Sequence, residues 1–197
     1  MSDGDLADVL AQRLFGQRVV VLRGPLDDMT AARVAAELMT LDADGDTAVT
    51  LRIDSAEGSL ATALTLMDVV ELLGVPVRAL ALGQVGGAAV GVLAVCSHRS
   101  AMPSTRFFLS EPRTHMDAPA RNVAQWARLR EDERARFCQR VATATGRPAD
   151  TVAADLAGGV FMGAEEALAY GLVDEICRPE AAIHQLPGPP IGFRPQR

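Results

Sequence analysis

The sequence predicts an α/β fold built from repeated βαβ units, and three observations support this. Short β-branched segments alternate with longer segments of helical periodicity. Two predicted strand-to-helix turns carry glycine, "SAEGS" at 55–59 and "GQVGGA" at 83–88. Hydrophobic residues make up 49% of the 197 residues, which is enough for a sizeable core. Because folds of this kind place their sites at the carboxyl ends of strands, the two glycine turns mark the expected site.

The first predicted βαβ unit follows an N-terminal helical segment. Apolar residues recur at helical spacing in 5–15, and "RVVVLRG" (18–24) is β-branched, short and ended by glycine, as in a buried strand. The segment 27–45 is amphipathic, with Asp28 or Thr30 as its expected N-cap. Its apolar face comprises Val34, Leu38 and Leu41. "AVTLRI" (48–53) completes the unit as a second strand.

The second unit contains the opening turns of the site. "SAEGSLATALTLMDVVELL" (55–73) predicts a turn that enters a helix, and "VPVRALAL" (75–82) predicts a third strand. "AAVGVLAVC" (88–96) is apolar all round, which predicts a buried helix. "CSHRS", which follows, is expected to be a loop.

The last third of the chain is mainly helical. "TRFFLSEP" (105–112) predicts a fourth strand closed by proline, and 118–146 predicts a long helix with a loose apolar stripe. Shorter helices are expected at 148–159 and 164–176, the latter ended by Gly171 and a terminal strand. We divide the chain into an N-terminal helical segment (1–17), one domain (18–178) and a Pro-rich tail (179–197).

Composition and charge exclude several classes of function. A net charge of −6 disfavours a nucleic-acid surface, and the absence of lysine excludes lysine catalysis and a lysine-based phosphate loop. Cys96, Cys138 and Cys177 have no metal-ligand spacing, so we expect reduced thiols and neither a metal nor a cofactor. The acidic N-terminus lacks a basic signal-peptide region, and no apolar run approaches a membrane span. A cytoplasmic protein without a membrane partner is expected.

The order of motifs resembles the Clp protease proteolytic subunit, the serine peptidase core of ATP-dependent Clp complexes. "FMGAEEALAYGLVDEI" resembles the family's "F(M/L)SAxEAxEYGLxDxI" almost position by position. "SAEGS" matches "SPGGS", "GQVGGA" matches "GQAASMGA" without a gap between the two turns, and "TRFFLSEP" matches "SRVMIHQP". The resemblance implies the Clp protease/crotonase-like fold with a protruding handle at about 107–146, whose helix is the predicted helix 118–146.

The resemblance also places the family's catalytic triad on three residues that cannot perform its chemistry. The serine position falls on Gly87, the histidine position on Ser110 and the aspartate position on Gly159. Glycine has no side-chain nucleophile, and a serine hydroxyl is not a base near neutral pH. The family's oxyanion hole maps to the backbone amides of Gly58 and Ala88, which need no particular side chain.

The resemblance implies a ring-shaped assembly. The family stacks two heptameric rings, and degenerate subunits occur in mixed rings. The leading hypothesis is therefore a non-catalytic subunit that scaffolds or regulates an ATP-dependent protease complex, alone or with catalytic Clp subunits. The family's docking aromatics for the AAA+ ATPase fall on Thr50 and Arg52, which weakens an apolar dock.

The tail contains a possible docking motif of its own. Ile191, Gly192 and Phe193 repeat the "IGF" type of loop that the ATPase inserts into the family's pocket. We hypothesise that this tripeptide docks into a catalytic subunit and competes with the ATPase.

Two other classes of function stay open. An active serine endopeptidase requires a rearranged triad. Its groups would come from the nearby serine hydroxyls and the three histidines, which are Ser55, Ser59, Ser104, Ser110, His98, His115 and His184. A crotonase-like acyl-CoA enzyme would use the two amides without a serine, with Glu57 or Glu111 as the carboxylate. Arg99 or Arg106 would then have to bind the coenzyme A phosphates.

Overall fold

The computed structural model describes residues 11–112 and 123–177. The helical residues 11–16 are the described part of α1. The other helices are α2 (Asp28–Ala43), α3 (Leu60–Leu72), α4 (Ala88–Ala94), α5 (Val123–Thr145), α6 (Ala149–Gly158) and α7 (Ala164–Tyr170). The strands are β1 (Val19–Arg23), β2 (Val49–Ser55), β3 (Val77–Gly86), β4 (His98–Ala101), β5 (Arg106–Leu109), β6 (Val160–Gly163) and β7 (Glu175–Ile176).

The described strands form one seven-stranded sheet with its central strands parallel. Its main path runs β1-β2-β3-β4-β7, while β5 pairs in parallel with the end of β3, and β6 runs antiparallel to β5. Burial alternates along β2, so Leu51 and Ile53 face the core, and Thr50 and Arg52 lie half-buried on the opposite face. The predicted α/β fold with parallel βαβ units is confirmed.

Strand β3 is longer than predicted, and it changes partner along its length. Its first half pairs with β2 and β4, whereas Gln84–Gly86 pair with β5. A bulge lies between the halves, where the Asp54 carboxylate accepts a hydrogen bond from the Gln84 N–H at 3.1 Å. The predicted strand end at 82 is therefore wrong, because glycines in a strand can mark a bulge as well as a turn.

The N-cap of helix α2 precedes both proposed caps, Asp28 by one residue and Thr30 by three. Asp27 is the N-cap, and its carboxylate accepts a hydrogen bond from the Thr30 N–H at 2.8 Å. Asp28 instead accepts from the Thr62 hydroxyl of α3 at 2.8 Å. The predicted apolar face of α2 is confirmed, because Val34, Leu38 and Leu41 are buried.

Two short strands were missed in the sequence. The "CSHRS" segment is a strand and not a loop: β4 lies between β3 and β7. Strand β6 follows Gly159 and pairs with β5. Neither shows the hydrophobic alternation that identifies strands, because β4 carries histidine, arginine and serine, and β6 ends in glycine.

The long helix α5 is divided into two parts by burial. Phe137 and Val141 lie in the core, whereas Leu129 is 42% exposed and Trp126 is half-buried. The C-terminal half thus packs against the domain, mainly on α4 and α6, and the preceding turns extend outward. Cys96, Cys138 and Cys177 are all free thiols. Among the described residues, no helix is both long and apolar enough to cross a membrane.

Candidate functional site: the cleft at Gly87

The site is built around a sharp turn between β3 and α4. Gly87 has φ +49° and ψ −120°, a conformation that side chains with a Cβ rarely adopt. Its N–H donates to the Phe108 carbonyl of β5 at 3.1 Å, which fixes the turn through the backbone. A sharp strand-to-helix turn of this kind exposes the nucleophile in α/β-hydrolase folds.

The turn brings two of the three triad positions together. A Cβ built on Gly87 would lie 3.7 Å from the Ser110 Oγ and 3.5 Å from the Ala56 carbonyl oxygen, both ordinary contact distances. Positions 87 and 110 therefore face each other, with room for a small side chain at position 87. The Ser110 hydroxyl therefore occupies the position that was predicted for the base, and that assignment stays a prediction.

Gly159 lies behind the site and has a structural role. It ends α6 in the left-handed conformation, with φ +72° and its N–H bonded to the Asp155 carbonyl at 3.0 Å. A Cβ there would lie 3.5 Å from the Phe108 ring. Gly159 thus contacts a residue that lines the cleft, but it supplies no group that could orient a base.

The two residues proposed for an oxyanion hole, Gly58 and Ala88, pack closely against each other. A Cβ on Gly58 would approach the Ala88 Cβ to 2.9 Å and the Leu26 carbonyl oxygen to 2.8 Å. Glycine is therefore required at 58 by close packing. Ala88 is the first residue of α4, so its N–H has no acceptor within that helix. The hole proposed at Gly58 and Ala88 stays a prediction.

These residues line an open cleft of about 240 Å³. The side chains at its wall that can ionise are Glu57 and Glu111, beside the Ser110 hydroxyl and the Phe108 ring. Among the described residues, no group of three His, Cys, Asp or Glu side chains could hold a metal ion. The cleft can offer hydrogen bonds and carboxylates, and the part of its lining that the structure describes contains no imidazole.

The described histidine lies beside the start of β3, whereas Gly87 follows the end of that strand. His98 on β4 contacts the Glu175 carboxylate of β7 at 3.0 Å. A rearranged triad would need this imidazole beside a hydroxyl of the cleft, and the structure does not bring them together. His115 and His184 lie outside the described residues, as does the Ile191–Gly192–Phe193 tripeptide.

One of the two arginines proposed to bind coenzyme A phosphates already has other partners. Arg99 is buried and binds Asp174 through its guanidinium at 2.5 Å, and it also donates to the Ala144 carbonyl at 3.0 Å. These bonds join β4 to the segment before β7 and to the end of α5, so Arg99 serves the fold. Arg106 lies exposed on β5.

The face that carries Thr50 and Arg52 is the one expected to dock an ATPase. Both side chains are half-buried on β2, and the Nε atom of Arg52 is buried without a hydrogen-bond partner among the described residues. The docking role of this face stays a prediction.

Two contacts at the cleft were not foreseen from the sequence. The rings of Phe108 and Phe161 stack with centroids 4.1 Å apart, although Phe161 is 74% exposed. Glu111 forms an ion pair with Arg134 of α5 at 2.8 Å. Both depend on the β5–β6 pairing or on a long-range approach of α5, which local periodicity does not contain.

Two comparisons with known proteins identify the family of this chain. The family model for Clp protease matches residues 2–180. A relative described as ATP-dependent Clp protease proteolytic subunit 2, from Thermobifida fusca (strain YX), is 31% identical over 171 residues. That alignment covers 84% of this chain and 83% of the relative. The matched residues include the β3–α4 turn at Gly87, the cleft and the helices that support them. This chain belongs to the Clp protease family of proteolytic subunits.

Proposed function

We propose that this chain is a non-catalytic member of its family, which scaffolds or regulates a ring-shaped protease complex. One observation carries the proposal: the β3–α4 turn keeps a positive-φ backbone at Gly87 and faces Ser110, yet no nucleophile–base pair occupies the two positions. The third position, Gly159, has no carboxylate. A fold that retains the turn without its reacting groups is suited to assembly and not to hydrolysis.

The chemical argument is quantitative. Loss of a single triad member costs several orders of magnitude in rate, and the losses act as one unit because the residues work together. The Ser110 hydroxyl cannot replace imidazole, since it does not accept a proton near neutral pH. The carboxylates of Glu57 and Glu111 line the cleft, but Glu111 is already paired with Arg134.

The partners of this proposal are other copies of the chain and catalytic Clp subunits in stacked rings. The outward half of α5 corresponds to the handle that joins rings in the family. A charged Arg52 on the expected docking face opposes binding of an apolar loop, so a AAA+ ATPase would engage the catalytic subunits of the complex. The division at residues 18–178 and the cytoplasmic location stay predictions.

The proposal is tested by probe labelling, by peptide cleavage and by native mass spectrometry. The purified chain, alone and mixed with catalytic Clp subunits, is treated with a fluorophosphonate serine probe and a fluorogenic peptide. We expect no labelling of this chain and no cleavage by it alone, while native mass spectrometry finds it in rings. Labelling of a specific serine would establish the rearranged peptidase instead.

The tail hypothesis is tested separately. Removal of residues 187–197 should lower the association of this chain with a catalytic ring and raise the share of the ring bound by its ATPase. Unchanged values for both quantities would show that the Ile191–Gly192–Phe193 tripeptide does not dock.

A further inference from the structure

Arg18, which joins α1 to β1, has an unusual backbone conformation. Its φ is +59°, and no other residue with a Cβ has a positive φ within residues 11–112 and 123–177. The left-handed region is unfavourable for a residue with a Cβ, and it persists where the surrounding contacts enforce it. The contacts of the arginine therefore have to compensate for the conformation of its backbone.

The guanidinium of Arg18 binds three carbonyl groups between the end of α2 and the start of β2. Its Nη2 atom donates to the oxygens of Thr47 at 2.7 Å, Leu41 at 2.8 Å and Gly45 at 3.1 Å. Its Nε atom also donates to the Thr47 oxygen, at 3.1 Å. The last turn of α2, which contains Leu41, has no basic residue of its own. Arg18 thus supplies the positive charge that the C-terminus of a helix favours.

The backbone of Arg18 binds two further elements. Its N–H donates to the Phe15 carbonyl of α1 at 2.9 Å, and its carbonyl accepts from the Thr50 N–H of β2 at 2.9 Å. In the same turn the Gln17 N–H donates to the Leu14 carbonyl at 2.9 Å. One residue therefore holds the last turn of α1, the adjacent strand and the segment that follows α2.

Helix α1 is only partly held by packing. Residues 11–13 are exposed, whereas Leu14 and Phe15 are half-buried. A cavity of about 280 Å³ is lined by residues of α1, β1 and α2, and Phe15, Val19 and Val21 form its apolar wall. Because this space is not filled by side chains, the hydrogen bonds of Arg18 provide a large share of the restraint on α1.

We propose that Arg18 couples the position of α1 to the conformation of the α2–β2 loop, residues 44–48. Displacement of the loop carbonyls removes the contacts that hold residue 18 in the left-handed region. The backbone there then relaxes and changes the direction in which α1 leaves the sheet. Asp44, Asp46 and Thr47 of the loop are exposed, so a partner that contacts them alters α1 and the cavity beside it. This coupling does not depend on the proposed function.

The first test measures amide hydrogen exchange in the full chain by NMR, as the protection factor of each amide. The Gln17 and Arg18 amides report on the last turn of α1, and the Asp44 amide, which donates to the Thr40 carbonyl at 3.0 Å, reports on the end of α2. Arg18→Asn tolerates the left-handed region but is too short to bind the carbonyls. We expect the three protection factors to fall by about tenfold or more, because charge-assisted hydrogen bonds are lost.

Two further variants calibrate this result. Gln17→Asn is the matched control, since Gln17 is adjacent and exposed, and its protection factors should stay within about twofold. Arg18→Lys keeps the charge without the planar fork, so an intermediate loss is expected. A loss of protection confined to α1 would overturn the coupling. An equal loss in the buried strand β2 would also overturn it, because Arg18 would then act on global stability alone.

The second test starts from the loop. Gly45 has φ +154°, which side chains rarely adopt, and a Cβ there would lie 3.9 Å from the Arg18 Nη1 atom. Gly45→Ala should therefore displace the loop and lower the protection of the Gln17 amide. The same substitution should have little effect in the Arg18→Asn background, where the connecting bonds are already absent. Equal effects in both backgrounds would show that the loop and α1 are independent, and would overturn the proposal.

Discussion

At the scale of single residues, the glycines of this site are held by different physical requirements. Gly87 and Gly159 are required by backbone conformation, since both have positive φ. Gly58 is required by contact, because a Cβ would collide with Leu26 and Ala88. A glycine that coincides with a family motif can therefore report on the fold alone, and only its contacts distinguish the cases.

The first prediction concerns Gly58. Gly58→Ala should lower the free energy of unfolding by about 1–3 kcal/mol, because the new methyl group would lie 2.7 Å from the Leu26 Cβ and 2.8 Å from its carbonyl oxygen. Gly158→Ala is the control, since a Cβ there meets nothing within 4 Å and the residue is helical. Urea unfolding compares the two, and equal stability would contradict the packing argument.

The second prediction concerns pH. Burial opposes ionisation of Asp174, but the hydrogen bonds and charge of Arg99 outweigh it and hold the pKa of the carboxyl below 3.8. A lowered folded-state pKa contributes stability that is present above the unfolded value and lost as the pH falls through the folded value. Asp174→Asn should therefore destabilise the protein near neutral pH and flatten the loss of stability below about pH 4.

The measurement is urea unfolding of both proteins at a series of pH values. Asp150→Asn, at an exposed position in the first turn of α6, is the control. Parallel stability curves for the native protein and Asp174→Asn would show that the Arg99 pair is not linked to folding.

At the scale of elements, helix α4, which follows Gly87 at the cleft, packs closely against α5. Every residue of α4 is buried, as its apolar sequence predicted. A Cβ on Gly91 would lie 2.3 Å from the Phe137 ring and 2.7 Å from the Met67 sulfur. The fully buried ring cannot move away easily, so the absence of a side chain at 91 sets the spacing of the two helices.

The third prediction tests this spacing. Gly91→Ala should cost about 1–3 kcal/mol of unfolding free energy through overpacking. Phe137→Leu should reduce that cost, because it removes the ring atoms that the methyl group meets. A double-mutant cycle from urea unfolding should give a coupling of at least about 0.5 kcal/mol. Strictly additive effects of the two substitutions would show that the methyl group at position 91 does not overpack against Phe137.

At the scale of the whole molecule, the sequence predicted the order of the helices and of five of the seven described strands, and the family resemblance singled out Gly87 and Ser110, which face each other. Helix α2 was predicted because its apolar residues recur at helical spacing, and α4 was predicted because it is apolar all round. The polar β4 and the glycine-ended β6 were not, because their pairing depends on β7 and β5, which are distant in sequence. For the same reason the Glu111–Arg134 pair and the stack of Phe108 on Phe161 appeared only in three dimensions.

The fourth prediction asks whether the frame of the site can still support hydrolysis. The triple variant Gly87→Ser, Ser110→His, Gly159→Asp should gain labelling by a fluorophosphonate probe and cleavage of a fluorogenic peptide. Serine at φ +49° costs roughly 1–3 kcal/mol of strain, and aspartate tolerates the left-handed region better than most residues.

The matched control is the same triple variant with alanine at position 87, which has the strain but no hydroxyl. A folded serine variant that stays unlabelled would mean that the side chains at the three positions are not placed to act together. That result would separate the inherited fold from any inherited chemistry.

The bulge in β3 has a consequence for which length changes this chain can tolerate. Between aligned pairs, β2 advances from Ile53 to Ser55 while β3 advances from Ala81 to Val85, so β3 carries two additional residues. Ala81 and Val85 are both buried, but the alternation between them is interrupted, because Gly83, midway between them, is exposed. Gly83 has φ +52°, and a Cβ there would lie 2.5 Å from the carboxylate oxygen that accepts the hydrogen bond at the bulge. Over evolutionary time this segment is therefore restricted at residue 83 as well as in its length, since a change of length would shift the register of the strand that leads into the site.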